Sequence, residues 1–164
     1  MLRLSKKADY ALIAMKHLAI KSGAQRGAAL SVSPLPVTSV AASAREIAEQ
    51  YDIPVELMAK VLQRLAREGL LASHQGTRGG YHLSRSPANI SVADVIQAVD
   101  GPLTVTACST EEENCDQYSK CSVRDPLWRI KDRIIAALAT CSLQEISVEH
   151  PPEEALTPLV MRRS

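Results

Sequence analysis

Residues 43–84 read SAREIAEQYDIPVELMAKVLQRLAREGLLASHQGTRGGYHLS. Ser43 followed three residues later by Glu46 is a capping box, which starts a short helix ending near Tyr51. Asp52-Ile53-Pro54 breaks it, because a proline disfavours helical geometry at the residue before it. Pro54 suits the first turn of a second helix, where its missing N–H costs nothing. That helix is predicted to run to Glu68 and to stop at Gly69. Met58, Val61, Leu62 and Leu65 form its apolar stripe, while Glu56, Lys60, Gln63 and Arg67 line the opposite side. Two short helices joined by a tight turn, the second with a polar and partly basic outer face, fit a helix-turn-helix. An ordinary helical hairpin with a solvated face fits the same residues and is the commoner case. The continuation separates the two. Leu70–Ser73, Gly76-Thr77-Arg78-Gly79-Gly80 and Tyr81–Leu83 read as strand, turn and strand. A hairpin directly after the second helix is a wing, and its Arg78 tip, flanked by glycines, can lie along a phosphate backbone or enter a minor groove.

Upstream, Ser5 caps a helix predicted to reach about Ile20, with Ala8, Leu12, Met15 and Ala19 on one face. Asp9 lies about 100° from that stripe. Residues 22–42 show no period and hold Gly, Ser, Pro and Thr, so a flexible insertion is expected there. Downstream, Ser91–Asp100 reads as a short helix with Val92, Val95, Ile96 and Val99 inward, ending at Gly101-Pro102. Asp125-Pro126 opens a longer helix to Thr140. Leu127, Ile130, Ile134 and Leu138 make one stripe of it, and Trp128 and Ile135 a second. Two apolar sides need two partners, the protein's own core and another chain, so a homodimer through the 126–140 helix is expected. The tail EHPPEEALTPLVMRRS carries three prolines and reads as mobile.

The fold class expected is therefore mainly α: a winged helix-turn-helix with a small β-hairpin wing and a long C-terminal dimerisation helix. Residues 1–100 form the DNA-binding domain, with 22–42 as its insertion. Residues 101–122 form a cysteine loop, 123–147 the dimerisation helix and a short end segment, and 148–164 the tail.

The 164 residues include no Phe and one Trp, so the core must be built from Leu, Ile, Val, Ala and Met. The longest apolar runs, Tyr10–Met15 and Ile134–Ala139, are far too short to span a membrane. Lys6, Lys7, Asp9 and Lys16 interrupt the N-terminal apolar pattern, unlike a signal peptide, and a cytoplasmic protein is expected. A net charge of +1 hides an asymmetry. Residues 1–90 carry twelve Lys/Arg against six Asp/Glu, and residues 91–164 carry seven against twelve. A basic first half suits a polyanion partner, although two plain solvated surfaces would give the same count.

The polar stretch ACSTEEENCDQYSKCSV, residues 107–123, holds Cys108, Cys115 and Cys121 with hardly an apolar side chain to bury. In a reducing compartment, clustered thiols serve metal binding or catalysis more often than disulfides. Zinc favours closely paired ligands, and this spacing has no such pair. Iron–sulfur clusters also take Cys thiolates, and their larger body tolerates ligands spread along a loop. Three unrelated surface cysteines are the remaining reading, against which stands the usual avoidance of exposed free thiols.

In this order the opening LRLSKKADYALIAMKHLA, the pair SAREIAEQYDIPVELMAKVLQRLAREGLL, the wing GTRGGYHL and the three-cysteine loop before a long helix make the chain resemble the Rrf2 family of bacterial transcription regulators, over roughly residues 1–147. The resemblance implies a winged-helix homodimer crossed through the long helix, bound to double-stranded promoter DNA. It also implies an iron–sulfur cluster, [2Fe–2S] or [4Fe–4S], held by Cys108, Cys115 and Cys121, whose gain, loss or reaction changes DNA affinity. Relatives that use a histidine as fourth ligand place it three residues after the last cysteine, where this chain has Arg124. Others take a carboxylate from the first helix of the opposite subunit, and Asp9 occupies that position, where an acid favoured by the helix dipole is the plain alternative. Cys141 lies outside the loop and reads as a buried or spare thiol, with ligation the lesser alternative. The wing's usual Arg before its first glycine is Gln75 here.

For DNA contact, Glu56, Lys60 and Gln63 are expected at base edges, because the front of the second helix enters the major groove. Arg45, Arg64 and Arg78 are candidates for phosphate or minor-groove contact, and Arg64 and Arg67 serve equally well as solvated helix residues or ion-pair partners within the chain. The function implied is a repressor of iron–sulfur assembly, iron or redox-stress genes. A winged-helix regulator with zinc or free-thiol sensing is the rival. A small electron-transfer iron–sulfur protein would leave the wing and the basic half unexplained. His17, His74, His82 and His150 show no triad-like pattern with Asp or Ser, so no enzyme is expected.

Overall fold

The computed structural model describes residues 4–28, 41–76, 79–103 and 120–148. Its elements in order are α1 (Lys6–Ala28), α2 (Ala44–Gln50), α3 (Val55–Arg67), β1 (Leu71–His74), β2 (Gly80–Leu83), α4 (Val92–Asp100), α5 (Arg124–Thr140) and α6 (Leu143–Ser147). This is the mainly helical winged-helix arrangement expected.

Helix α1 is the spine against which α3, α4, α6 and β2 pack. Its buried face is made of Ala8, Ala11, Ala14, Met15, Leu18 and Ala19, and the small residues let neighbouring helices approach closely. The helix continues past Ile20 to Ala28, so residues 22–28 do not belong to an insertion as expected. At the other end of that segment, Ala42 exchanges backbone hydrogen bonds with Tyr81 at 3.0 and 2.9 Å. The chain entering α2 thus adds an isolated bridge beside β2. Residues 29–40, the remainder of the expected insertion, lie outside the described residues.

The two helices of the central motif end in the same way. Tyr51 caps α2, Asp52 takes φ +52°, and the Ile53 N–H returns to the Ala48 carbonyl at 2.9 Å. Glu68 caps α3, Gly69 takes φ +74°, and the Leu70 N–H returns to the Leu65 carbonyl at 3.0 Å. Both are Schellman closures, and the left-handed position is filled once by Asp, whose short polar side chain tolerates it, and once by Gly. Each closure delivers a buried residue, Ile53 or Leu70, into the core. Pro54 precedes the first residue of α3, and Met58, Val61, Leu62 and Leu65 are buried as expected.

β1 and β2 pair antiparallel with Leu71 opposite Leu83 and His74 opposite Gly80, one residue displaced from the expected start of each strand. Ser91 opens α4 with a complete capping box to Asp94. The unanticipated α6 is capped likewise by Ser142 and Glu145, and buries Leu143 fully. It is fixed to the start of α4 by Val92 N–H to Cys141 O at 2.9 Å and Leu143 N–H to Ile90 O at 2.7 Å. Helix α5 begins at Arg124 rather than Pro126. Among the described residues no helix is long and apolar enough to cross a membrane.

Candidate nucleic-acid interface and cysteine centre

The outer face of α3 carries Glu56, Lys60, Gln63 and Arg67, all exposed, as the helical period requires once the opposite stripe is buried. Glu56, Lys60 and Gln63 are therefore brought onto one accessible surface. Arg45 is exposed on α2, where its Nε donates to the Glu49 carboxylate at 2.7 Å, a pairing that a phosphate can replace at small cost. Arg78 lies outside the described residues.

Arg64 makes the ion pair within the chain that was one of its expected roles, and a hydrogen bond to α4 besides. Its Nε donates to the Ala98 carbonyl at 2.9 Å, and its terminal nitrogen pairs with Glu68 at 3.2 Å. The guanidinium is half exposed but spent on α4 and on its own helix rather than offered outward.

A polar cluster joins α2 to α1 beside the apolar core that buries Ile47 and Ala48. Ser43 accepts from the Glu46 N–H at 3.1 Å, which is half of the expected capping box. The other half does not form, because the Glu46 carboxylate binds the Lys21 ammonium of α1 instead. Lys21 holds that carboxyl below the usual carboxylate range. Beside it, His17 is buried with its Nε2 unpartnered among the described residues. Its Nδ1 lies 3.4 Å from the Tyr51 hydroxyl, with the two rings edge to face. Burial, reinforced by the Lys21 charge and opposed by Glu46, pushes the His17 imidazole below its ordinary value. Apart from the Ser43 cap, none of this was legible beforehand, since it joins residues remote in the chain.

Of the expected cluster ligands, Cys108 and Cys115 lie outside the described residues. Cys121 is a free, half-buried thiol just before α5. Asp9 is exposed on α1, and its carboxylate makes no hydrogen bond or ion pair among the described residues. The described residues alone do not bring three candidate ligands together. The donor chemistry fits an iron–sulfur group all the same: a free thiol and an unengaged carboxylate, with two further thiols on the same polar segment. Cys141 closes α5 and packs with Ala8, Val92 and Ile96, consistent with a packing role.

Helix α5 leaves Trp128 44 % and Ile130 47 % exposed, with Leu127, Ile134 and Ile135 half-buried. Leu138, near its end, packs against the cluster of Ala8, Val92 and Ile96. One side thus meets the protein's own core, and an apolar surface remains.

Comparison with known proteins agrees with this geometry. The family model Rrf2, described as an iron-dependent transcriptional regulator, matches residues 4–149. The HTH-type transcriptional regulator IscR of Xenorhabdus nematophila is 34 % identical over 146 residues, covering 88 % of this chain and 79 % of that protein. IscR of Escherichia coli O1:K1 is 31 % identical, covering 88 % and 80 %. Among solved structures, CymR, the global cysteine regulator of B. subtilis, superposes with a TM-score of 0.66 at 26 % identity, over 90 % of this chain and 97 % of that one. IscR of T. potens gives 0.62 at 25 % identity, over 88 % and 85 %. With the winged helix, the exposed polar face of α3 and a family match over nearly the whole described length, the chain belongs to the Rrf2 family of DNA-binding transcriptional regulators and is not an enzyme.

Proposed function

We propose that this regulator is a cytoplasmic homodimeric repressor whose affinity for promoter DNA is set by an iron–sulfur cluster on the cysteine loop. The observation that carries the reading is the donor set: Cys121 free and reachable before α5, Asp9 free of partners among the described residues on α1, and Cys108 and Cys115 on the same polar segment. Cys108, Cys115, Cys121 and Asp9 would hold the group, which supplies iron–sulfide bonds sensitive to iron supply and oxidants. The protein's own part is mechanical. A polar segment with little to bury is ordered when its thiolates are engaged, and that difference in free energy biases the protein between conformations.

DNA is read in the proposal by Glu56, Lys60 and Gln63 at base edges, Lys60 suiting guanine and Gln63 adenine, while Glu56 accepts from cytosine N4 or excludes other bases. Arg45 and the wing's Arg78 contact phosphate or the minor groove. The apolar side of α5 pairs two copies so that two α3 helices address two half-sites.

The test is to purify the protein without oxygen and measure visible absorption, iron and acid-labile sulfide beside a Cys115→Ala variant. Colour with iron and sulfide in the wild type, lost in the variant, is the expected result. A colourless protein after anaerobic reconstitution, holding zinc or only thiols, would sink the cluster and leave thiol chemistry as the input.

A further inference from the structure

The C-terminal end of α4 is where three parts of the molecule meet. The Arg64 Nε of α3 donates to the Ala98 carbonyl at 2.9 Å, and Glu68 holds the same guanidinium at 3.2 Å. Ser5, at the start of α1, donates to the Asp100 carboxylate from its backbone N–H at 3.2 Å and from its hydroxyl at 2.5 Å. Gly101 then takes φ +82° to end the helix, and the chain leaves through Leu103 toward the cysteine segment.

The last carbonyls of a helix have no partner within it and carry the negative end of the helix dipole, so a cation there is stabilising. Here the cation comes from the last turn of α3, the helix proposed to read DNA. On the inner side the two helices share the core that buries Leu65 and Ala98. Beside the tie lies an open groove of about 290 Å³, lined by Glu68, Leu70, Arg85, Gln97 and Gly101. A shift of the end of α4 therefore has room to occur, and Arg64 transmits it to α3.

We propose that Arg64 is a positioning residue that carries the state of the cysteine loop to the recognition helix, rather than a phosphate contact. The inference rests on the loop-sensing reading above. In that reading ligation takes place on the segment that follows Gly101 in the chain, so it acts first on the end of α4. The guanidinium then fixes the position of α3 relative to that end, with Glu68 setting its orientation. Lysine cannot replace it fully, because a single ammonium does not present the planar fork that reaches a carbonyl and a carboxylate together.

The experiment measures affinity for one fluorescent duplex, recovered by the wild-type protein from a random-sequence pool, across a salt series. It compares cluster-loaded and stripped protein, with iron and sulfide assayed on each sample, for wild type, Arg64→Lys and Arg64→Gln. The expected result is that the loaded-to-stripped affinity ratio moves toward one by about fivefold or more in both variants. The dependence of affinity on salt should keep its wild-type slope. Equal loss in both states with a shallower slope in Arg64→Gln, restored in Arg64→Lys, would make Arg64 a phosphate contact and overturn the proposal. An unchanged ratio with a lower Tm would reduce the tie to a helix cap. A wild-type ratio of one in iron- and sulfide-containing protein would remove loop sensing itself, and the relay with it. Should Arg64→Gln not fold, the Arg64→Lys comparison decides alone.

Discussion

At the scale of single residues, the most informative group is one that touches neither DNA nor metal in the proposed scheme. His17 is buried at the junction of α1 and α2, facing Tyr51 from the turn, Lys21 from its own helix and Glu46 from α2. Burial first and Lys21 second favour its neutral form, and Glu46 opposes them only in part. Its folded value therefore lies below the ordinary 6.5, so the unfolded chain takes up a proton that the folded chain resists. Stability should be fully present above about pH 6.5 and fall as the pH drops through the lowered folded value. The Lys21–Glu46 pair does not mask this, because Glu46 is held below the usual carboxylate range and stays charged through the window. Thermal unfolding followed between about pH 8 and pH 5 should show Tm declining on the acid side. A His17→Gln variant should flatten that decline. An equally steep decline in the variant would place the titrating group elsewhere.

At the scale of elements, the wing and the motif before it are one construction. Gly80 shows this. A Cβ built on it would stand 2.6 Å from the Ala42 carbonyl oxygen and 2.7 Å from its carbon, both backbone atoms that cannot rotate away. Gly80→Ala should therefore force the Ala42–Tyr81 bridge apart, costing roughly 1–3 kcal/mol. A useful contrast is Gly23, exposed in α1 with open space around it, where alanine should stabilise by roughly 0.5–1 kcal/mol. Opposite shifts in Tm for the two substitutions are the expected outcome, and a harmless Gly80→Ala would mean that the bridge is not held. The same region shows what a sequence discloses. Caps, the proline break, the Gly69 stop and the buried stripe of α3 were legible because each is written within a few residues. The Ala42 bridge was hidden because its partner is a strand almost forty residues on, and residues 41 and 42 carry no alternation of their own. For Arg64 the ion pair with its own helix was open to sequence reading, but the bond to α4 was hidden for a related reason. It belongs by composition to a basic helix, and only the distant Ala98 carbonyl turns it inward. Half of the Ser43–Glu46 box failed similarly, because Lys21 competes for the carboxylate.

At the scale of the whole molecule, the proposed pairing of two copies must account for the apolar surface of α5. A solvated helix with Trp128 and Ile130 nearly half exposed beside the half-buried Leu127 and Ile134 is a costly surface to leave in water, unless another copy covers it. In a two-fold arrangement each substitution acts twice. Removing the exposed part of Ile130 from water contributes about 1–2 kcal/mol per copy, and a glutamate there would add the penalty of burying a charge. Ile130→Glu should therefore raise the dimer dissociation constant by about a hundredfold or more. Among the described residues the side chain takes no part in either core cluster, so the folded monomer should keep its helicity and its Tm at low concentration. Sedimentation should show wild-type dimer and variant monomer at the same micromolar loading. DNA affinity should fall with it, because a monomer presents one α3 and loses the linked second half-site. Raising the variant concentration above its new dissociation constant should restore binding, which separates lost assembly from lost recognition. A variant that stays dimeric would show that α5 is not the pairing surface, and would turn attention to the exposed Leu4 just before α1 and Val123 at the start of α5.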